Sequence, residues 1–236
     1  YYSSGGNMNK VEKFENELEY IKNEIFKADI CYLIDGLPDY FFEVPASSTG
    51  KYHPKYALGE GGLLRHTKAA VRIAYELLSD PLIGNKYTEE EKELMIMGLM
   101  IHDGLKSGKE KSQYTKVEHP LLVVDYIKEN RKNLGMSDEN LNFLCDVIAS
   151  HMGVWNKDFD GNEVLPIPKT KYQNFVHMCD YLASRKFLSV KFEDGTIELK
   201  GTVPSLMTET TMILRGIKEA AIKDGLSEED AIDFIR

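Results

Sequence analysis

Residues with metal-ligating side chains recur along this chain where predicted helices begin or end. The sequence contains six histidines, and five of them fall at such ends or beside glycine-rich segments. A metal site collected at one end of a helix bundle draws its ligands from positions of this kind, whereas packing histidines scatter. The candidate ligands are His66, His102, Asp103, His119, His151 and Asp180.

The adjacent pair His102-Asp103 is the centre of this prediction. Imidazole and carboxylate groups both bind Zn²⁺ and first-row transition metals well. At a helix end the two side chains can hold one ion jointly, with the carboxylate free to bridge to a second. Because a dipeptide arises easily by chance, the prediction depends on the other four residues.

Each of those four residues also has a purely structural interpretation. His66 could be a hydrogen-bonded core histidine, and His119, before Pro120, could cap a helix. His151 could interact as a cation with the end of a helix dipole. Asp180 interrupts an apolar helix, where a buried carboxylate is costly unless it is paired or metal-bound, although it could also face solvent.

Helical spacing of apolar residues predicts most of the chain as helix. Thr88 with Glu91 forms a predicted capping box, and Ser137 is a predicted N-cap. Segments 39–61 and 152–168 are predicted loops. The predicted helices span about residues 9–34, 62–79, 88–103, 117–132, 137–151 and 169–186.

The pattern changes near the C-terminus, where Asp194-Gly195 predicts a type I′ hairpin turn within residues 188–200. Helices are expected again over 205–236. Residues 1–7 are interpreted as a tag remnant, and 8–236 as a single domain with its core at 61–186. The expected fold class is therefore mainly all-α, a helical bundle with a small β-hairpin.

Composition restricts the function. The chain has 29 basic and 38 acidic residues, a formal charge of −9, so long duplex nucleic acid is a disfavoured partner. Three cysteines without a CxxC motif argue against a disulfide framework. No apolar run is long enough to predict a membrane span, and no signal sequence is recognised. We expect a cytoplasmic protein without a membrane partner, and a homo-oligomer stays open.

The order His, His-Asp, His, His, Asp on successive helices resembles the HD-domain superfamily of metal-dependent phosphohydrolases. The resemblance is greatest to bacterial HD exoribonucleases and related HD hydrolases. The HD-GYP phosphodiesterases are similar in HDxxK and in a His-Pro that opens a helix, but no GYP motif follows His151 here. The matching segments are GGLLRHT, IHDGLKSG, VEHPLLVVDYI, ASHMGVW and HMCDYLASR.

The resemblance implies one or two divalent ions. The first would be held by His66, His102, Asp103 and Asp180. The second would be held by His119 and His151, with Asp103 bridging. Nitrogen and oxygen donors do not select among Mn, Fe, Co, Ni and Zn.

The resemblance also implies that Asp103 and Lys106 are the catalytic residues, and that Lys106, three residues after Asp103, contacts a substrate phosphate. A surface role for this lysine is the alternative. Further candidate substrate contacts, each with a structural alternative, are Tyr52, His53, Arg65, Trp155, His177 and Arg185.

The predicted function is metal-dependent hydrolysis of a phosphoester or phosphodiester in a nucleotide or short oligonucleotide. Two alternatives stay open. One is an HD-fold di-iron oxygenase, which uses the same ligand order. The other is a nucleotide sensor that binds without turnover, and the intact ligand set argues against it.

Overall fold

The computed structural model describes residues 9–47, 50 and 53–186, together with the backbone of two strands beyond them. This part of the chain is mainly helical, as the sequence predicts. Single 3₁₀ turns lie at Val11–Phe14, Lys55–Ala57 and Arg131–Asn133. The helices are α1 (Glu15–Leu18), α2 (Glu24–Asp35), α3 (Tyr40–Glu43), α4 (Gly62–Ser79), α5 (Pro81–Gly84), α6 (Glu89–Ile101), α7 (His119–Glu129), α8 (Asp138–Ala149) and α9 (Lys171–Ala183).

Helix α6 is the central helix of the domain. Every residue from Leu94 to Ile101 is buried, which is the pattern of a helix surrounded by others. It packs against α2, α4, α8 and α9. Gly98 permits the close approach of α8, because a Cβ atom there would lie 3.0 Å from Val147 Cγ2. The residues that follow Ile101 therefore start from a rigid position in the core.

The predicted single helix over residues 9–34 is wrong, because the chain breaks between α1 and α2. The backbone N–H groups of Lys22 and Asn23 donate to the two carboxylate oxygens of Glu93, at 2.9 and 3.0 Å. The Asn23 side chain then caps α2. Glu93 lies on α6, far along the chain, so the local periodicity of residues 9–34 carries no sign of this interruption.

The segment 39–61, predicted as a loop, contains the short helix α3 and a 3₁₀ turn. Its last glycine, Gly61, has a φ of +68°, in the left-handed region that favours glycine. Gly62 begins α4, and a Cβ atom there would lie 2.3 Å from the carbonyl oxygen of Ala57. The glycine pair before α4 therefore lets this segment pack directly on the first turn of the helix.

Both predicted helix N-terminal signals are confirmed. Thr88 and Glu91 form a reciprocal capping box at the start of α6. The Ser137 side chain accepts the backbone N–H of Asn140 at the start of α8. These caps fix where the two helices begin.

Beyond the helices, strands β1 (Leu188–Val190) and β2 (Ile197–Leu199) pair antiparallel, with Leu188 opposite Leu199. The predicted turn at Asp194-Gly195 lies outside the described residues. So do residues 1–7 and the predicted helices over 205–236. Among the residues that the structure describes, no helix has both the length and the apolar character needed to cross a membrane.

Candidate metal centre

The six predicted ligands converge on one point in the structure. His66 comes from α4, His102 and Asp103 from the end of α6, and His119 from the start of α7. His151 follows α8, and Asp180 lies in α9. The first five are at most 1% exposed, and the Asp180 side chain is 18% exposed. Helices distant in sequence thus place four imidazoles and two carboxylates in one buried cluster.

The first half of this centre consists of His66, His102, Asp180 and the Oδ2 atom of Asp103. Asp180 Oδ1 lies 2.8 Å from His66 Nε2 and 3.3 Å from His102 Nε2. Asp103 Oδ2 lies 3.8 Å from the first of these nitrogens and 3.5 Å from the second. Two carboxylates therefore face two histidine rings in this half.

The second half consists of His119, His151 and the Oδ1 atom of Asp103. His119 Nε2 lies 2.9 Å from this oxygen, and His151 Nε2 lies 3.7 Å from it. The two ring nitrogens are 3.3 Å apart. One carboxylate group thus presents a separate oxygen to each half.

Three of the four rings are held by backbone carbonyls. The Nδ1 atoms of His102, His119 and His151 lie 2.7, 2.7 and 2.8 Å from the carbonyl oxygens of Leu99, Lys116 and Ile148. Each is the carbonyl three residues earlier. An Nδ1–H group that donates to a carbonyl leaves the Nε2 lone pair directed into the centre, which is the tautomer a metal ligand requires.

The donor atoms are close together but are poorly paired with one another. His102 Nε2 and Asp103 Oδ1 make no hydrogen bond of good geometry, although ring nitrogens and carboxylate oxygens lie within 2.9–3.5 Å of them. The Nε2 atoms of His119 and His151 lie 3.3 Å apart, and both face the same carboxylate oxygen of Asp103. Buried polar atoms in such an arrangement are stabilised by a cation between them.

The separations also suit metal coordination. Donors about 2.0–2.1 Å from an ion lie about 2.8–3.4 Å from each other in octahedral or tetrahedral geometry. The observed separations of 2.8–3.8 Å in the first half and 2.9–3.7 Å in the second overlap this range. The buried histidine and aspartate groups can therefore hold a metal ion.

The carboxylates are kept ionised by their surroundings. Burial alone would raise the pKa of Asp103, but Lys106, His102 and His119 outweigh it and hold that pKa well below its usual range. Burial likewise opposes ionisation of Asp180, but the neighbouring His102 and His66 outweigh it and lower its pKa well below the usual range. Both carboxylates are thus anionic at neutral pH.

The histidines of the two halves differ in proton affinity. Burial disfavours the charged form of His102, yet Asp103 and Asp180 outweigh it and raise its pKa. Burial and the neighbouring His102 lower the pKa of His151 to about 3. At neutral pH the His151 ring is neutral and ready to act as a ligand.

Lys106 borders the centre. Its Nζ atom lies 2.6 Å from Asp103 Oδ2, and its side chain is 15% exposed. Tyr40 supports the loop that follows, because its hydroxyl donates to the Gly108 carbonyl and accepts the Ser107 N–H. Lys106, the predicted phosphate contact, therefore lies next to the Asp103 carboxylate and is partly accessible to solvent.

His53, from the segment before α4, also lies at the centre. Its ring packs edge-on against His66 with centroids 5.2 Å apart, and its Nδ1 atom is buried without a hydrogen-bond partner. Burial, with His66 and Lys106 nearby, lowers its pKa to about 3. A neutral ring suits a proton acceptor better than a proton donor.

The two arginines proposed as phosphate contacts are engaged elsewhere. Arg65 Nε and Nη2 donate to the carbonyl oxygens of Tyr56 and Leu58, at 2.5 and 2.9 Å. Arg65 therefore holds the preceding segment against α4 and is not directed at a phosphate. Arg185 donates to Ser184 Oγ and lies over the Tyr181 ring.

The remaining predicted contacts have different positions. His177 Nδ1 lies 2.6 Å from the His151 carbonyl oxygen, so this ring supports the backbone of a candidate ligand. Trp155 is half exposed and stacks on Tyr181. Tyr52 lies outside the described residues.

Sequence reasoning missed the groups that orient the ligands. Backbone carbonyl groups, here those of Leu99, Lys116 and Ile148, cannot be recognised from residue type because every residue has one. Their constant position three residues before each histidine could have suggested them. Tyr40 lies in the predicted loop 39–61, and no role was predicted for it. Its link to Gly108 depends on a contact between distant parts of the chain.

Comparison of this chain with known protein families, with curated proteins and with solved structures found no match. What the centre can do therefore follows from its own geometry and chemistry.

Proposed function

We propose that this protein is a metal-dependent phosphohydrolase of the HD type. Its substrate would be a phosphoester or phosphodiester in a nucleotide or short oligonucleotide. The observation that carries the proposal is the position of Asp103, whose two carboxylate oxygens each face a separate pair of histidines. A carboxylate shared in this way supports a pair of neighbouring cations.

Ions bound in both halves would polarise a water molecule and neutralise charge that develops on a phosphate. Mn, Fe, Co, Ni and Zn all suit this set of nitrogen and oxygen donors. Asp103 would hold the two halves together. The backbone carbonyls behind His102, His119 and His151 would keep those rings in the ligating tautomer.

Lys106 gives the centre a preference for anionic substrates. Its ammonium group pairs with Asp103 Oδ2 and is partly exposed, so a phosphate entering from solvent meets it. Cations held by Asp103 would compete with the lysine for this carboxylate, and the Lys106 ammonium group would then be free to pair with a phosphate oxygen. This favours phosphate transfer over reactions of neutral substrates.

The test is a hydrolysis panel screened over Mn²⁺, Fe²⁺, Co²⁺, Ni²⁺ and Zn²⁺, with metal content measured alongside. Substrates are nucleoside mono- and triphosphates, dinucleotides, cyclic nucleotides and short oligonucleotides. We expect hydrolysis that Asp103→Asn abolishes and that Asp138→Asn, a change on the exposed surface of α8, leaves intact. Hydrolysis retained by Asp103→Asn would contradict the proposal.

A di-iron oxygenase is the second candidate, because the same four histidines and two aspartates also suit two iron ions. Oxygen consumption by the iron-loaded protein, without phosphate release from any substrate in the panel, would favour it.

A further inference from the structure

We propose that Trp155 and Tyr181 form a platform on which the nucleobase of the substrate stacks. We call these two residues, with Arg185 beside them, the aromatic platform. The inference rests on the proposed function for the identity of the substrate. It adds the group that recognises the base, which the metal centre itself does not provide.

The platform has the geometry of a stack with an open end. The Trp155 and Tyr181 rings are 5.8 Å apart between centroids, and their planes differ by 12°. Trp155 is 51% exposed, although one side of its ring is covered by Tyr181. The Arg185 guanidinium lies 4.3 Å from the Tyr181 centroid. A further planar ring can therefore continue the stack on the exposed indole.

The fold builds this stack through a tight turn after His151. Gly153 has a φ of +61°, and a Cβ atom there would lie 2.3 Å from His177 Cε1. The Trp155 N–H donates to the Met152 carbonyl oxygen at 3.2 Å and closes the turn. Without a side chain at residue 153, the chain turns directly over His177 and carries Trp155 onto α9.

The platform is attached to both halves of the metal centre. Tyr181 directly follows the ligand Asp180 in α9. On the other side, His177 lies between Trp155, at 6.2 Å between ring centroids, and the carbonyl oxygen of the ligand His151, at 2.6 Å. The platform is therefore linked to the donor cluster by one ring and one carbonyl group on the Trp155 side and by a single peptide bond on the Tyr181 side.

A nucleobase suits this surface because its flat π-face can stack on the exposed indole. Stacking on aromatic side chains contributes about 1–3 kcal/mol per base and tolerates every base, because each has a π-face. Among the described residues, neither Trp155, Tyr181 nor Arg185 has a buried polar atom without a partner that could read the edge of one particular base. We therefore expect it to recognise nucleotides as a class and to discriminate weakly among them.

Trp155 is the only tryptophan of the chain, so its fluorescence reports on the platform directly. The full chain is titrated with adenosine and guanosine 5′-monophosphate, and separately with ribose 5-phosphate and inorganic phosphate. Excitation at the red edge of tryptophan absorption avoids absorption by the bases. We expect saturable quenching by both nucleotides and none by the two ligands that lack a base.

Variants separate stacking from general packing. By calorimetry, we expect Trp155→Leu to weaken nucleotide binding about tenfold or more and Trp155→Phe to retain most of it. Val154→Ala is the matched control, because Val154 is 76% exposed in the same turn. Ribose 5-phosphate binding should be equal in all of these proteins.

Equal responses to adenosine 5′-monophosphate and ribose 5-phosphate would overturn the platform, as would Trp155→Leu binding nucleotides like the wild type. These readouts need no turnover. Quenching without hydrolysis would leave the platform standing and refute the hydrolase. Hydrolysis without quenching would refute the platform and leave the proposed hydrolase activity standing.

Discussion

In the first half of the metal centre two histidine rings face two carboxylates, whereas in the second half two rings share a single carboxylate oxygen. The pKa values of one histidine in each half differ accordingly. The carboxylates raise the pKa of His102, and burial lowers the pKa of His151 to about 3. The two halves are thus prepared for cations in different ways.

Affinity for an ion and readiness to bind it are separate properties of the two halves. The first half has more negative charge and should bind its ion more tightly, although the same carboxylates also raise the affinity of His102 for a competing proton. The second half offers His151 as a neutral ring, and its charge comes from Asp103 alone. Asp103 is therefore the residue on which both halves depend.

The largest effect is expected from Asp103→Asn, which removes the charge common to both halves. Loss of the bridging charge should remove several kcal/mol of transition-state stabilisation, a fall in kcat of about 10³-fold or more. Phosphate release by the metal-loaded variant measures this. A fall below tenfold would mean that the two halves act independently.

The next effect separates the halves. His151→Gln should leave about one tightly held ion per chain, because the first half is intact. Asp180→Asn should instead weaken the tight ion about 10²-fold or more, beyond the roughly 10–100-fold cost of losing an outer hydrogen-bond partner. Metal content after equilibrium dialysis against a graded chelator distinguishes them. The same stoichiometry in both variants would contradict the assignment of ligands.

Gly153→Ala is a smaller perturbation directed at the second half. Its left-handed backbone costs an alanine about 1–2 kcal/mol, and the new Cβ would also displace His177 from the His151 carbonyl. Gly161→Ala is the matched control, since Gly161 has a φ of +86° with nothing within 4 Å of a Cβ. Urea unfolding should show a larger loss for Gly153→Ala. Equal losses would show that the contact with His177 contributes nothing.

The last effect is a change with pH in the free energy of unfolding of the metal-free protein. Each histidine with a shifted pKa changes it by at most about 1.4 kcal/mol per pH unit. An unfolded histidine has a pKa of about 6.5. Below this pH the unfolded state protonates His151 while the folded state does not, so the free energy of unfolding falls down to about pH 3. Above pH 6.5 the raised pKa of His102 acts in the opposite direction, and stability falls as pH rises.

Urea unfolding of chelator-treated protein from pH 5 to 8 should therefore give maximal stability near pH 6.5. In the His151→Gln variant, the loss of stability below pH 6.5 (the acid limb of the profile) should be smaller. The loss of stability above pH 6.5 should be unchanged. His53, whose pKa is also lowered to about 3, supplies the remainder of the acid limb. A profile that is flat below pH 6.5 in the wild type would refute the neutral state of His151.

The ligand positions could be predicted from the sequence because they depend on local signals. Helix caps, glycine pairs and apolar periodicity place His66, His119 and His151 at helix ends, and the structure brings all three together with Asp103. Asp180 was conspicuous because a carboxylate in an apolar helix requires a partner. Its partners in the structure are His66 and His102.

What the sequence could not reveal depends on contacts between distant segments. The break before α2 exists because Glu93 accepts two backbone N–H groups there. The actual roles of Arg65 and His177 are set by carbonyl groups, which every residue has. The aromatic platform depends on the direction that the chain takes after Gly153, and no periodicity encodes it.

The uneven exposure of the six ligands has a consequence for the speed of metal exchange. Only Asp180 presents an appreciable part of its side chain to solvent, and the His119 and His151 rings are almost fully enclosed. An ion in the second half would have less direct access to solvent than an ion in the first half. Under rapid chelation we expect the more weakly held ion to persist longer, because departure follows access and not affinity.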